Sequence, residues 1–266
     1  MEVVFTGFII AVINIRNETN MKLINNVGRG YSFLEGIYPY SSGVVADAGF
    51  EVVHVTLRHW LPWEEGMQKA REFVETQDGK VEQLCGFELR CPEPHSMGGF
   101  IGFNEDYRQL LEHWGLVVNG KNPITRTNVA PVEDAPDETM LHAFSFVRPT
   151  DKNHRTFVVA GGGELLGPLA VENIIRRGEV SFDALQQKAE VVMKLMLQRL
   201  RGLGALPSEL TTIDVYTAHD APSLIAEAVT PELADSPAEV VWFNTRPPIV
   251  DIEFEMDMRA TVELTL

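Results

Sequence analysis

Residues 181–220 read SFDALQQKAEVVMKLMLQRLRGLGALPSELTTIDVYTAHD, and the architecture follows from them. Ser181 and Asp183 carry side-chain oxygens suited to the free N–H groups of a helix N-terminus. Leu185, Ala189, Val192, Met196, Leu200 and Leu203 then recur at spacings of three and four. One face of a helix of about five turns is therefore apolar. Gly202 and Gly204 stop it, and the β-branched run Thr211–Thr217 (TTIDVYT) reads as a strand. A helix with one apolar face followed directly by a strand predicts a sheet packed on helices.

Upstream, Arg155–Ala160 (RTFVVA) reads as a strand that Gly161-Gly162-Gly163 ends, and Leu165–Val180 reads as loop. Downstream come a short helix at Pro222–Val229, a strand at Glu239–Phe243 and a long strand at Asp251–Thr265. In that last strand Ile252, Phe254, Met256 and Met258 alternate with Asp251, Glu253, Glu255, Asp257 and Arg259. The apolar set is expected to pack on the helices and the charged set to face away.

The polar, proline-containing stretch Arg148-Pro-Thr-Asp-Lys-Asn153 has the composition of a linker. Before it the same order returns more loosely. Strands are expected at Glu51–Leu57, Val81–Arg90, Thr125–Val129 and Met140–Val147, with helices at Glu64–Glu75 and Asn104–Trp114. Both segments thus read strand, helix, strand, helix, strand, strand, the signature of an internal duplication. The expected fold is α+β, two tandem α/β units each made of a mixed sheet on helices. The expected boundaries are 1–39 for an N-terminal extension and lead-in, 40–149 for the first unit and 150–266 for the second. VVFTGFIIAVINI (3–15) also suits an edge strand, and Met21 offers a second start.

Composition excludes several classes. The chain has 266 residues, 45% hydrophobic, with 14 Phe and 4 Trp, which is ample for a buried core. Its 38 acidic against 22 basic side chains give a net charge of −16, which repels a phosphate backbone, so nucleic acid is not an expected partner. The apolar run Phe8–Ile13 is too short to span a bilayer, and Glu2 sits where a signal peptide wants positive charge. Cys85 and Cys91 lack zinc spacing and suit reduced thiols in a cytoplasmic protein. GxxxxGK[ST], GxSxG, HExxH and the HxE…PCxxC deaminase signature are absent from the sequence, and GGGELLG (161–167) does not fit GxGxxG. No metal and no cofactor are expected.

Three features are candidates for chemistry. In PITRTNVAP (123–131) and WFNTRPP (242–248), Arg126 and Arg246 stand beside small polar groups near a turn. A guanidinium in such a place either forms a surface salt bridge or grips a carboxylate through two parallel hydrogen bonds. The acidic stripe of the last strand is the third. It is either a solvated face or holds a half-buried carboxylate with a raised pKa, fit to move protons.

The second segment resembles the Rid superfamily, reactive intermediate deaminases of the YjgF/RidA type, in its AGG strand end, LRGLGALPSEL, TTIDVYTAHD and the closing IEFEMD. The first resembles it in YSSGV (40–44), FNEDY (103–107) and PITRTNV (123–129). The resemblance covers about residues 40–266 as two divergent copies. It implies chorismate-mutase-like units, a homotrimer with clefts between subunits, an arginine that grips the substrate carboxylate and a glutamate that handles protons. By register these fall on Arg126 in the first copy and Glu255 in the second. The matching arginine position of the second copy is Val240, and the matching glutamate position of the first lies near Leu141 or His142. Each copy therefore keeps one half of the pair, and Arg126 and Glu255 are expected to complement each other across an interface. Arg246, Asn128, His142, Trp242 and Asn244 are expected to line the pocket, with Arg246 as a second cation.

The two-copy layout resembles the 2-aminomuconate deaminases of aromatic-compound breakdown. It implies metal-free hydrolysis of an enamine/imine acid with release of ammonia, the substrate a small carboxylate or dicarboxylate. A chorismatase-like enzyme on the same fold and a non-catalytic Rid-like binding protein are the alternatives.

Overall fold

The computed structural model describes residues 21–266. The edge strand expected at 3–15 and the question of which methionine starts the chain lie outside them. The N-terminal half contributes β4 (Phe50–Pro62), α1 (Trp63–Thr76), β5 (Leu84–Arg90), α2 (Met97–His113), β6 (Thr125–Pro131) and β7 (Met140–Pro149). The C-terminal half contributes β8 (Phe157–Gly163), α3 (Phe182–Gly202), β9 (Thr212–Thr217), α4 (Ala221–Leu224), β10 (Glu239–Arg246), β11 (Glu255–Ala260) and β12 (Val262–Thr265). Ahead of both come β1 (Leu23–Asn26), β2 (Tyr31–Leu34) and β3 (Gly43–Ala46). The fold is α+β, with the strands in the order β1-β2-β3-β8-β11-β9-β10-β6-β5-β7-β4-β12. No helix among the described residues is long and apolar enough to cross a membrane.

Pairing at the chain ends crosses between the halves. β3 pairs antiparallel with β8, which ties residues 23–46 to the C-terminal half. β12 pairs in parallel with β4 of the N-terminal half. The two halves also meet through a short β10–β6 pairing at Thr245–Pro131 and Arg246–Ala130.

Side-chain alternation explains how the halves pack. Ile213 and Val215 of β9 and Met256 and Met258 of β11 share a core with α3 residues Val192, Met196 and Leu200. Phe87 and Leu89 of β5 share another with Tyr107 and Leu111 of α2. Residues between them must point to the opposite, helix-free faces. Those faces pack on each other. Part of the interior is apolar, with Tyr31, Phe33, Val44, Val52, Cys85 and Val147 buried together. The rest is ionic: Arg259 of β11 pairs with Asp214 of β9 and reaches Glu88 of β5 at 3.9 Å, and His54 of β4 lies 3.5 Å from Glu88. Burial pushes the Glu88 carboxyl up, but His54, Arg259 and Arg90 outweigh it and hold the pKa at about 2.

Several expected elements differ in extent. The strand at 155–160 runs on through all three glycines to Gly163, because close neighbours rather than chain direction require them. α2 begins at Met97, capped by the Ser96 hydroxyl on the Gly99 N–H, so FNEDY falls inside the helix and not at its start. The long strand at 251–265 is instead a loop, β11 and β12. Asp251 has φ of 74°, a left-handed conformation that a strand does not admit.

The loop between β10 and β11 is anchored from beneath. Glu164, directly after β8, accepts the Glu253 and Phe254 N–H groups at 2.6 and 3.0 Å and pairs with Lys188 of α3 at 3.2 Å. Both side chains are fully buried. Removing one member of such a pair strands the other charge in the interior. Lys188→Met is expected to lower stability by about 3–5 kcal/mol, read as a fall in the urea midpoint. A loss below about 1 kcal/mol would mean that the two backbone N–H groups alone hold Glu164.

Candidate active site

One cavity of about 110 Å³ lies where the halves meet, and residues of both line it. β6 supplies Arg126 and Asn128, β11 supplies Glu255, and α3 supplies Leu195 and Arg199. Tyr40 and Ser42 precede β3 on the wall, and the glycines of β8 form the floor. Two loops complete it with Leu165 and Leu169 on one side and Pro248, Ile249 and Ile252 on the other. These loops are joined at their outer ends by the Arg177–Asp251 ion pair, 2.7 Å long.

The glycines are there for space. A Cβ on Gly161 would stand 2.5 Å from Glu255 Oε1 and 3.1 Å from Thr127 Cα, so the bare backbone lets β8 approach β6. A Cβ on Gly162 would meet Leu195, Arg199 and Met196 of α3, and one on Gly163 would meet Ile252. The run that fits no dinucleotide motif is thus a contact surface shared by two strands, a helix and a loop.

Arg126 is 3% exposed. The rings of Tyr40, Phe100, Phe103 and Tyr107 surround its guanidinium carbon at 4.9, 5.3, 5.5 and 4.7 Å from their centroids. Ring faces offset part of the lost hydration of a buried cation. Nη2 donates to Asn104 Oδ1, while Nη1 is buried with no partner among the described residues. Both amide atoms of Asn128 are likewise buried and unpartnered. Buried donors and acceptors of this kind are costly unless a ligand satisfies them. The free groups of Arg126 and Asn128 fit a carboxylate and its neighbouring amine.

Glu255 is 5% exposed, and its carboxyl pKa is raised to about 8. Burial is the main cause and Asp257 the second, opposed by Arg199 and Arg126. Asp257 is two residues along the same strand face. It accepts hydrogen bonds from Thr127 at 2.6 Å and Tyr216 at 3.0 Å. Burial and the nearby Asp214 and Glu88 push its own pKa up. At neutral pH Glu255 therefore keeps its proton, in a cavity with two arginines.

Arg199 is the second cation of the cavity. Its Nη1 donates to the Ala160 and Gly161 carbonyls at 2.8 and 3.0 Å, while its Nε is buried without a partner. Arg199 is not among the residues that the sequence singles out. The available signal is its place at the edge of the apolar face, one turn after Leu195 and opposite the glycine run.

The structure brings together Arg126, Asn128 and Glu255, one half of the pair from each copy. Four other expected lining residues stand outside this cavity. Arg246 and Asn244 are exposed at the far end of β10, because Pro247 turns the chain inward only after them. Trp242 is 43% exposed and its indole N–H is spent on the Thr217 carbonyl. His142 lies in the interface between the sheets, edge-on to Trp60 and 4.0 Å from Glu88, where burial and Arg90 push its pKa down to about 3.

With this geometry established, known proteins give a consistent family. The family model described as "2-aminomuconate deaminase CnbZ" matches residues 23–264. The chain is 33% identical over 244 residues to a 2-amino-5-chloromuconate deaminase of Comamonas testosteroni, spanning 89% of this chain and 96% of that one. Among solved structures, a chorismatase superposes with a TM-score of 0.49 at 12% identity, over 90% of this chain and 78% of its own. The YjgF gene product from E. coli superposes with a TM-score of 0.29 at 18% identity, over 50% of this chain and 92% of its own. From its match over nearly the whole length, the chain belongs to the CnbZ family of 2-aminomuconate deaminases.

Proposed function

We propose that this protein hydrolytically deaminates 2-aminomuconate or a closely related 2-amino-dienedioate in aromatic-compound degradation. The observation that carries the reading is one cavity lined by Arg126, with an open guanidinium nitrogen, and by the buried, protonated Glu255. Arg126 and Asn128 hold the carboxylate beside the amino group. Glu255 gives its proton to a carbon of the enamine, and the C–N unit becomes an iminium. The resulting carboxylate takes a proton from water as the water oxygen bonds to the imine carbon. Glu255 then passes that proton to the carbinolamine nitrogen, the C–N bond breaks as the hydroxyl becomes a carbonyl and returns its proton to Glu255, and ammonia leaves with the 2-oxo acid. The iminium nitrogen is itself the electron sink, and positioning plus proton transfer supply the rate.

The protein works in a reducing compartment, the cytoplasm, and assembles as a homotrimer. Buried free Cys85 and Cys91 support the first. For the second, β10 pairs with β6 only through Thr245 and Arg246, so among the described residues the edge of 239–244 away from β9 is open, with Val241 and Trp242 40% and 43% exposed. An apolar open strand edge of this kind is normally covered. Light scattering is expected to give about three times the 29.7 kDa chain mass, and a monomer mass would contradict it.

Freshly generated 2-aminomuconate is expected to release ammonia faster with the protein than in the enzyme-free control. Arg126→Met and Glu255→Gln should each lower kcat/KM by at least about 100-fold, the usual weight of a positioned acid or a charged anchor. Full activity in both variants would reject the assignment. The pH dependence has a fixed sign. Glu255 holds its proton below about pH 8 and loses it above. Wild-type kcat/KM should therefore fall as pH rises through that value, and the residual activity of Glu255→Gln should lack this limb. A flat profile in the wild type would remove Glu255 as the proton donor.

A further inference from the structure

We propose that Arg199 forms a second anion subsite in the cavity and takes the distal carboxylate of the substrate, so that it selects dicarboxylates over monocarboxylates. The inference rests on the substrate class proposed above and names a residue the sequence motifs do not point to.

Arg199 and Arg126 enter the same cavity from opposite halves of the chain, one on α3 and one on β6. Each holds a buried nitrogen with no partner, Nε in Arg199 and Nη1 in Arg126. The remaining contacts show why both stay fixed. Nη1 of Arg199 is tied to the Ala160 and Gly161 carbonyls, and Nη2 of Arg126 to Asn104. Each guanidinium is thus preorganised, with donors to spare, and preorganised donors lower the ordering cost of binding. Arg199 Nη1 would also lie 3.0 Å from a Cβ on Gly162, so a glycine is what admits this side chain to the floor.

Charge favours the same conclusion. The chain carries a net charge of −16 and repels a dianion at long range. The cavity reverses that field locally, because its acid, Glu255, is neutral at pH 7 while both arginines are charged. Two cations match two carboxylates, and neither is spent on an ion pair within the protein among the described residues. Arg246, the second cation expected from sequence, is exposed on β10 and outside the cavity. Arg126 sits deeper, enclosed by four rings beside Asn128, and so takes the carboxylate at the amino end. Arg199, less buried and lining the cavity together with Leu165 and Leu169, takes the far end.

The test separates this subsite from the deamination itself. Binding of 2,4-hexadienedioate and 2,4-hexadienoate, which share a carbon skeleton and differ by one carboxylate, is measured by calorimetry for wild type, Arg199→Met and Arg199→Lys. Wild type is expected to prefer the dianion by about ten- to a hundredfold, the worth of one charge-assisted hydrogen-bonded contact. Arg199→Met should bring the ratio near one, and Arg199→Lys should fall between. Far-ultraviolet dichroism and the melting temperature confirm that each variant is folded, and the preference is a ratio within one protein. A dianion preference that persists in Arg199→Met overturns the subsite, as does a wild type that binds both acids equally. Ammonia release from 2-aminomuconate by the wild type is followed in parallel. If it occurs while the binding ratio is near one, deamination stands and the Arg199 subsite falls. If it does not occur, the substrate reading fails and the inference with it.

Discussion

The close approach of β8 to β6 at Gly161 is the contact on which the rest of the molecule depends. Gly161 belongs to the C-terminal half, yet the positions nearest its missing Cβ are the Glu255 carboxylate and Thr127 of the other half. Thr127 stands between Arg126 and Asn128 on β6 and points the other way, into the interface, where it donates to Asp257. This hydrogen bond ties the strand carrying Arg126 to the strand carrying Glu255. A Cβ at Gly161 would displace the Glu255 carboxyl and the Thr127 hydroxyl and press on the facing β6 backbone.

The interface also sets the electrostatics of the site. Helix-free sheet faces packed together would ordinarily bury apolar side chains, as Tyr31, Phe33 and Val52 do at one end. At the other end the same surface holds Glu88, Asp214, Asp257 and Arg259. Buried ions are a poor source of stability, since desolvation offsets their attraction. Of this group, Asp257 is the one that acts on Glu255. Burial and Asp257 raise the Glu255 pKa, and the arginines of the cavity oppose them. The balance leaves an acid able to give up a proton near neutrality, the condition for general acid catalysis.

Much of this was legible in the sequence. The helix at 182–202, with its Ser181 cap, and the strands on either side follow from spacing and capping residues alone. The pairing of Arg126 with Glu255 follows from each copy keeping one member of an expected pair, and the structure sets both on one cavity. Other features depend on which strands become neighbours. The β3–β8 and β12–β4 pairings exchange the chain ends between the halves, and no local periodicity carries that information. Alternation across 251–265 correctly gives the faces of Glu255 and Asp257, but it does not reveal the break at Asp251. Arg246 looked suited to the cavity by its neighbours Asn244 and Pro247. It is excluded because the chain turns inward one residue too late. Arg199 was hidden for the opposite reason: its partners, the glycines of β8, lie far away in sequence.

The central claim is that Arg126 and Glu255, from the N-terminal and C-terminal halves of the chain, act in a single site. A double-mutant cycle on kcat/KM with Arg126→Met, Glu255→Gln and the combined variant tests it most directly. Residues that serve one transition state are non-additive. The account predicts that the double variant is about as slow as the slower single variant, because either loss already disables the site. Losses that multiply in the double variant would mean the two residues act independently, and would contradict a shared site.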